Sequence, residues 1–369
     1  MKSKRLIFIF FGLFGIFCAT SMALIFISDP LRVFHKPIIC KNSIETNLRL
    51  GNYTLIKHYD FDSMIFGTSM LENSSSNEAS QILGGKFMNM SISGSDFYER
   101  ALILNFAFKN KNLNKIIYSL DTDKFLYQKN GDATFAPSKF DFLYDEIKFN
   151  DFKAYFDKYM VVKSISNFAV CKNTNFDRIP AWFELEEFKS RYGGFEKWHK
   201  NSYIPIAKAI KNIKENNVQS LENLDEQILK SKNYVDEYIL KFVSQNPQTK
   251  FYLVLPPYSR IHNAIEFHTK KRDFLVTKEV LRYLVEQSQI YKNLKIYAWG
   301  DTDYPDNIAN YKDLTHYSHK FNSQMLLYLK DDIGLLTTQN FDEYYEKFEQ
   351  KAKEFDLMPY YEKIKDFIK

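Results

Sequence analysis

The sequence has few glycines, few cysteines and almost no excess charge. It contains 12 glycines and 3 cysteines in 369 residues, and its formal net charge is +5. Residues 1–28 carry three basic residues and no acid, so the rest of the chain has 47 basic against 45 acidic residues, a net charge of +2. A nearly neutral domain without a basic arm or an acidic tail has no electrostatic footprint for nucleic acid.

Internal repeats and low-complexity tracts are also absent, and the length suits one large domain or two small ones. Aromatic residues are abundant instead, with 34 Phe and 25 Tyr. Two explanations remain open: the codon bias of an AT-rich genome, and a sugar site lined by aromatic rings. Trp182 and Trp198 are candidates for such a site, or else they belong to a local hydrophobic core.

The N-terminal segment has the composition of a membrane anchor. Lys2, Lys4 and Arg5 precede an uncharged stretch of 23 residues from Leu6 to Ser28. As a helix this stretch would extend about 34 Å, enough for a bilayer core of about 30 Å. A cleaved signal peptide is the alternative, because residues 19–23 offer a small-residue site, but the apolar stretch continues beyond it. We therefore predict an uncleaved anchor.

The flanking charges predict the orientation of this anchor. The positive-inside rule places residues 1–5 in the cytoplasm and the remainder outside. This predicts a single-pass protein of the inner (cytoplasmic) membrane with a periplasmic or extracellular domain. Cys18 lies in the anchor, whereas Cys40 and Cys171 would lie in an oxidising compartment. A disulfide between these two is permitted there, but the sequence does not determine whether they pair.

Strand-like and helix-like segments alternate in two parts of the chain. The predicted strands are residues 63–66, 86–92, 115–120, 250–255 and 294–299, and the predicted helices include 72–83, 97–108, 270–291 and 320–329. Such alternation predicts an α/β domain with a mostly parallel, five-stranded sheet covered on both faces. Ligands of these sheets bind beyond the carboxyl ends of the strands. The loops that follow the strands are therefore where we expect a site.

The alternation breaks in the middle of the chain, where helical segments and a long helix at 222–243 predominate. We interpret this region as a helical insertion or lid. The predicted organisation is a cytoplasmic stub and anchor (1–30), a first half of the α/β domain (31–129), the insertion (130–245), the second half (246–335) and a charged helical tail (336–369).

Two loops at strand ends carry glycine beside hydroxyl groups. Gly67-Thr68-Ser69 follows the first strand, where backbone N–H groups of a strand-to-helix turn can stabilise an oxyanion next to a serine nucleophile. An ordinary helix N-cap would have the same sequence. Gly94 follows the second strand and can offer a backbone N–H without a side chain in the way, or it is simply a turn glycine.

The third candidate loop contains Asp313 and His316, three residues apart. A base must reach the proton of the serine, and a carboxylate must orient the imidazole. We expect a His316 ring nitrogen within roughly 2.6–3.2 Å of Ser69 Oγ. A surface pair that caps a helix is the alternative. His262 and His268 are predicted to be surface residues, and no histidine pair has zinc spacing, so neither a metal nor a cofactor is predicted.

Taken together, Gly67-Thr68-Ser69, the Asn89–Gly94 segment and Asp313-x-x-His316 resemble, in order and spacing, the sequence blocks of the SGNH/GDSL hydrolase superfamily. The resemblance covers about residues 61–125 and 250–332. It extends to membrane-anchored envelope proteins of that superfamily: alginate and peptidoglycan O-acetylation proteins and the D-alanyl transfer proteins of teichoic acid. It implies a flavodoxin-like, three-layer SGNH fold.

The resemblance also implies residue roles. Ser69 would be the nucleophile, His316 the general base and Asp313 its orienter, while the N–H groups of Ser69 and Gly94 would bind the oxyanion. The chain departs from the family at Asp121, where an asparagine amide usually donates to the oxyanion, because an ionised carboxylate has no donor. It also has Thr68 where the family usually has an aspartate before the serine.

The expected function is that of a serine esterase or O-acyltransferase that acts on cell-envelope polysaccharide through an acyl-enzyme. The alternative is a non-catalytic envelope protein that binds a glycan or assists a membrane-bound acyltransferase. The expected partners are an envelope glycan or acyl ester and the membrane, with no nucleic acid and no cofactor.

Overall fold

A computed structural model of the chain describes residues 2–29, 32–36, 38, 44–45, 47–126, 140–145, 147, 150–151, 153, 162, 166, 173–179 and 182–365. The chain divides into two compact units, Met1–Asp60 with Pro137–Asn175, and Phe61–Ala136 with Phe176–Lys369. The second unit contains the whole sheet. Cys40, Cys171 and much of the predicted insertion lie outside the described residues, so their pairing and its boundaries stay predictions. Cys18 is a free thiol.

The first unit contains the apolar helix α1 (Lys2–Ser28). The segment Lys4–Ser28 has a mean hydropathy of 2.3 and its apolar core is not buried, so this helix is long and apolar enough to cross a membrane. The predicted span is therefore present as a helix of the required length. A second helix, α2 (Leu48–His58), begins where the Asn47 side chain accepts a hydrogen bond from the backbone N–H of Arg49.

Six strands form one sheet in the second unit. They are β1 (Ser63–Phe66), β2 (Phe87–Asn89), β3 (Lys115–Ser119), β4 (Lys250–Leu255), β5 (Leu294–Ala298) and β6 (Leu335–Leu336), in the order β2-β1-β3-β4-β5-β6. The first five are parallel and β6 is antiparallel to β5. The mostly parallel α/β sheet is confirmed, but the prediction of five strands is wrong, because a strand of two residues has no readable periodicity.

The other described helices belong to the same unit as the sheet. They are α3 (Ser69–Glu72), α4 (Ser76–Leu83), α5 (Phe97–Asn110), α6 (Thr122–Phe125), α7 (Glu186–Lys189), α8 (Tyr203–Lys214), α9 (Leu224–Val235), α10 (Lys241–Gln245), α11 (Arg260–Thr269), α12 (Lys271–Ile290), α13 (His319–Lys330), α14 (Phe341–Glu354) and α15 (Met358–Ile364). A π-helical turn, Asp236–Leu240, joins α9 to α10, so the long helix predicted at 222–243 is present with one wide turn.

Helix α11 was not predicted. The sequence indicated a single helix from about residue 270, whereas an extra helix precedes it and the chain bends at Lys270, with φ −124° and ψ 51°. Ser259 is the N-cap of α11, since its hydroxyl accepts a hydrogen bond from the His262 N–H at 3.3 Å. This capped helix starts directly after the β4 loop and therefore belongs to the edge of the sheet where ligands are expected.

The strand ends align along one edge of the sheet. In the register of the parallel pairs, Phe66 at the end of β1 lies opposite Tyr118, and Ser119 at the end of β3 lies opposite Val254. The order 2-1-3-4-5 is one of the common doubly wound orders, whose ligand site lies where the chain switches sides between β1 and β3. The loops that begin at Gly67 and Leu120 meet there.

Candidate active site

The turn after β1 presents Ser69 at the carboxyl edge of the sheet. Thr68 caps α3, since its side chain accepts from the Met70 N–H at 3.3 Å, so Ser69 itself is not the N-cap. Gly67 must lack a side chain, because a Cβ there would lie 2.4 Å from Ser119 Oγ. The close approach of β1 and β3 therefore requires the glycine, and the cap on Thr68 leaves the Ser69 hydroxyl available.

The Ser69 hydroxyl meets His316, 247 positions further along the chain. Ser69 Oγ lies 2.9 Å from His316 Nε2, which confirms the distance expected from the sequence. The imidazole side chain is 25% exposed, so it is sheltered but can be reached from solvent. The two loops that supply these residues follow β1 and β5, and only the folding of the sheet brings them together.

Asp313 holds the other side of the imidazole. Both of its carboxylate oxygens lie 2.9 Å from His316 Nδ1, and Oδ1 also accepts the backbone N–H groups of Thr315 and His316 at 3.0 and 2.8 Å. Lys312 Nζ donates to Oδ2 at 2.8 Å. Burial raises the pKa of Asp313, but the charges and hydrogen bonds of His316 and Lys312 outweigh it and hold this pKa well below its usual value.

An ionised Asp313 determines how the imidazole is used. A carboxylate accepts the Nδ1–H of His316, so the neutral imidazole carries its proton on Nδ1 and presents Nε2 as an acceptor. That assignment follows from the hydrogen-bond pattern. The Ser69 hydroxyl then donates to Nε2, which is the arrangement needed for a base to remove the serine proton.

Trp182 and Trp198 have different places in this unit. Trp198 is 3% exposed and belongs to the core, where its Nε1 donates to the Tyr311 carbonyl at 2.8 Å. Trp182 instead meets the His316 ring edge to face, with centroids 5.6 Å apart. Lys312 Nζ lies 4.8 Å from the centre of the Trp182 ring. Trp182 therefore packs against the imidazole.

Gly94 lies in the same site. Its φ is +67°, a conformation that favours glycine, and it lines a cavity of about 210 Å³ together with Ser69 and His316. Among the described contacts the Gly94 N–H has no acceptor. Ser69 is the first residue of α3, so its N–H also lacks a partner within the helix. Two N–H groups of the kind that bind an oxyanion are thus available.

Asp121, the departure from the family pattern, works only as an acceptor. It is 1% exposed. The hydroxyls of Thr68, Ser119 and Tyr258 donate to its two oxygens at 2.8, 2.7 and 3.1 Å, and a guanidinium nitrogen of Arg100 lies 3.7 Å away. Asp121 borders the cavity but offers no donor to an oxyanion. Its contacts instead hold Thr68, the residue directly before Ser69.

The cavity is also lined by residues that sequence reasoning missed. His262 was predicted to be a surface residue, but it lines the cavity with Asp123, Glu266 and Lys270. The spacing of His262, Glu266 and Lys270 at every fourth position, which places side chains on one helix face, was the available signal. It remained hidden because α11 was not predicted. Within the described residues, no group of three or more His, Cys, Asp or Glu could hold a metal ion.

A comparison with models of known protein families gives no match, and neither does a comparison with curated proteins. The resemblance to the SGNH/GDSL superfamily therefore stays a prediction from the sequence.

Proposed function

We propose that the chain is an SGNH-type serine esterase or O-acyltransferase that acts on cell-envelope polysaccharide. The observation that carries this proposal is the continuous hydrogen-bond chain from Ser69 Oγ through His316 to Asp313, with every link at 2.9 Å. The strand order 2-1-3-4-5 supports a flavodoxin-like SGNH fold, in which such a site lies at the carboxyl edge.

In the first half of the reaction, Ser69 Oγ attacks the carbonyl carbon of an acyl ester while its proton passes to His316 Nε2. The N–H groups of Ser69 and Gly94 stabilise the resulting oxyanion. The bond from the carbonyl carbon to the leaving oxygen then breaks, and His316 returns the proton to that oxygen. The products are a free alcohol and an acyl group on Ser69.

In the second half, a hydroxyl group of water or of a sugar gives its proton to His316 Nε2 and attacks the acyl carbon. The bond between the acyl carbon and Ser69 Oγ breaks, and Oγ recovers the proton from His316. Water yields a carboxylic acid, and a sugar yields a new ester. Asp313 stabilises the imidazolium present in both halves without taking up a proton.

Helix α1 supports the membrane-anchored part of the proposal. It is long and apolar enough to span a bilayer. The basic residues at positions 2, 4 and 5 favour a cytoplasmic N-terminus by the positive-inside rule. We therefore place the folded part in the periplasm or outside the cell, where envelope glycans are the available acyl acceptors.

A second candidate function is that of a non-catalytic glycan-binding or accessory protein, working with a membrane-bound acyltransferase. Asp121 is the observation that favours it, because the usual oxyanion amide is replaced by a residue that only accepts hydrogen bonds. Loss of one oxyanion donor costs about 2.7–4 kcal/mol of transition-state stabilisation. Such a loss slows catalysis strongly without altering the fold.

A fluorophosphonate probe separates the two candidates. A catalytic protein should be labelled at Ser69, with no labelling of Ser69→Ala and greatly reduced labelling of His316→Ala. Ser323→Ala is a matched control, because Ser323 donates to Glu78 at 2.6 Å away from the cavity, and it should label as the wild type does. If folded wild-type protein is not labelled by the probe, the enzymatic function is refuted and the accessory function remains.

A further inference from the structure

His262 is a histidine in the candidate active site that the proposed mechanism does not use. It lies in the first turn of α11 and lines the cavity that contains Ser69 and His316. Its ring packs edge to face against Tyr258, with centroids 4.9 Å apart. Tyr258 in turn donates to Asp121, which also accepts hydrogen bonds from Thr68 and Ser119. The His262 ring therefore contacts the buried hydrogen-bond network that holds the residue before Ser69.

The ring nitrogens of His262 have no hydrogen-bond partner among the described residues, whereas its backbone N–H is bound to Ser259. Burial, the largest influence, lowers the pKa of His262, although Glu266 acts in the opposite direction. The neutral ring then has one donor and one acceptor nitrogen. A hydroxyl group has the same combination, so the ring complements an alcohol better than it complements an acyl chain.

The residues beside His262 make this wall polar. Lys270 Nζ donates to Glu266 Oε1 at 2.8 Å, and Asp123 lines the same cavity. A hydrocarbon chain placed against these groups would remove them from water without replacing their hydrogen bonds, which is costly. The wall therefore suits the hydroxyl-rich partner of the reaction.

The charge of the cavity further limits the partner. Lys270, the one ammonium among the described residues that line it, is already paired with Glu266 at 2.8 Å. An acceptor that carries carboxylates would have to compete with Glu266 for this cation. A neutral sugar needs no cation.

We propose that His262 and the polar face of α11 form the acceptor subsite, in which His262 positions a neutral polyhydroxylated acceptor by a hydrogen bond to one hydroxyl. The inference rests on the proposed function, because it needs the acyl group on Ser69. The attacking hydroxyl of the acceptor gives its proton to His316, as in the second half-reaction above. His262 binds a neighbouring hydroxyl and neither gains nor loses a proton, so it is a positioning residue.

The test uses the full-length protein in detergent, with p-nitrophenyl acetate as acyl donor and cellopentaose as neutral acceptor. Release of p-nitrophenol reports acylation, and the ratio of acetylated cellopentaose to acetate reports the acceptor step. We expect His262→Ala to raise the KM for cellopentaose at least about tenfold and to change fluorophosphonate labelling of Ser69 much less. His262→Asn, which keeps a donor and an acceptor, should recover part of the loss.

His268→Ala is the matched control. His268 lies on the same helix, its ring bonds to the Lys353 carbonyl at 3.1 Å, and it does not line the cavity. His268→Ala should leave both the acylation of Ser69 and the transfer to cellopentaose unchanged. Pentagalacturonate, an anionic acceptor of the same length, should be acetylated at least about tenfold less efficiently than cellopentaose by wild-type protein.

Three outcomes would overturn the acceptor subsite. One is an unchanged KM and product ratio in His262→Ala. Another is a folded His262→Ala that is no longer labelled, which would assign His262 to activation of Ser69. The third is a wild-type protein that is labelled but neither acetylates cellopentaose nor is inhibited by it. In that last case the proposed function survives as an esterase, whereas absence of labelling in the wild type would refute the proposed function itself.

Discussion

The Tyr317 hydroxyl donates a hydrogen bond of 2.9 Å to the carbonyl of Met70. These two residues directly follow His316 and Ser69 in the chain, so their bond joins the two loops one position away from the candidate catalytic pair. Asn322 donates to the same carbonyl at 2.8 Å. The distance between Ser69 and His316 is thus maintained by buried neighbours as well as by the pair's own hydrogen bond.

Replacing Tyr317 by Phe should loosen this connection. The fold should persist, because Asn322 still satisfies the Met70 carbonyl, and the free energy of unfolding should fall by about 1 kcal/mol. A less well-held base should lower kcat, with little change in KM. Urea unfolding and ester hydrolysis check the two effects.

Tyr345→Phe is the control for Tyr317→Phe, since the Tyr345 hydroxyl is also buried and donates to a backbone carbonyl, that of Phe274, at 3.2 Å. It should lose similar stability but keep its activity. Equal activity loss in both variants would show that the connection to Met70 has no particular role.

Asp313→Asn should change both the activity and the pH dependence of stability. The amide cannot orient a protonated imidazole in the same way, and the rate should fall by about 10⁴-fold. The pKa of Asp313 is lowered in the folded state, so its contribution to stability is present above the unfolded pKa of about 3.9 and is lost as the pH falls through the folded pKa.

We therefore expect the stability of the wild type to decline below about pH 4 more steeply than that of Asp313→Asn. Unfolding measured by circular dichroism between about pH 2 and pH 7, a range that contains the unfolded pKa, checks this. If the stability of the two proteins declined equally steeply as the pH fell, the assigned ionisation of Asp313 would be contradicted.

Asp121→Asn would introduce the residue type usual in the SGNH/GDSL family that the sequence resembles, yet we expect it to harm this protein. Asparagine brings an NH₂ donor into a pocket where Thr68, Ser119 and Tyr258 already donate, and it leaves Arg100 without its charge partner. Breaking a buried charge pair costs about 3–5 kcal/mol. Chemical unfolding and labelling of Ser69 should both show the loss.

Asp342→Asn provides the comparison for Asp121→Asn. Asp342 also pairs with an arginine, Arg282, at 2.8 Å, but its side chain is 76% exposed, so its loss should lower the free energy of unfolding far less than the loss of Asp121 does. If Asp121→Asn were as stable as the wild type and labelled faster, the carboxylate would be a defect in the oxyanion site rather than a support for Thr68.

A reporter fused after residue 369 tests the orientation of the anchor. Alkaline phosphatase, which folds with disulfides and is active only in an oxidising compartment, should be active there, and a cytoplasmic reporter should not. Moving positive charge from positions 2, 4 and 5 to the far side of α1 should reduce this activity. Activity of the cytoplasmic reporter in the unaltered chain would refute the extracytoplasmic placement.

Local patterns were enough to predict much of the secondary structure. Strands β1 and β4 have the bounds expected from the sequence, because each is a short buried run closed by glycine or proline. Helix α5 extends two residues beyond the predicted end at 108. The prediction failed at α11 and β6. Helix α11 is polar and directly precedes another helix, and β6 has only two residues, so neither has a hydrophobic periodicity of its own.

The candidate site was predictable where its residues are close in sequence. The spacing of Asp313 and His316 is local, since both lie in one loop and Asp313 accepts backbone N–H groups of that loop. The place of His262 was not predictable, because it depends on how α11 packs beside β4. The role of Asp121 was equally hidden, since Thr68, Ser119 and Tyr258 come from three separate parts of the chain.

The sequence by itself determined the apolar helix at the N-terminus, the parallel strands and the order of the loops that carry Ser69, Gly94 and His316. These follow from composition and periodicity, which act over a few neighbouring residues. Only the tertiary structure decided that His262 lines the same cavity as Ser69 and that Asp121 is surrounded by donors. Those contacts join residues far apart in the chain, and their geometry is set by strand pairing and side-chain packing.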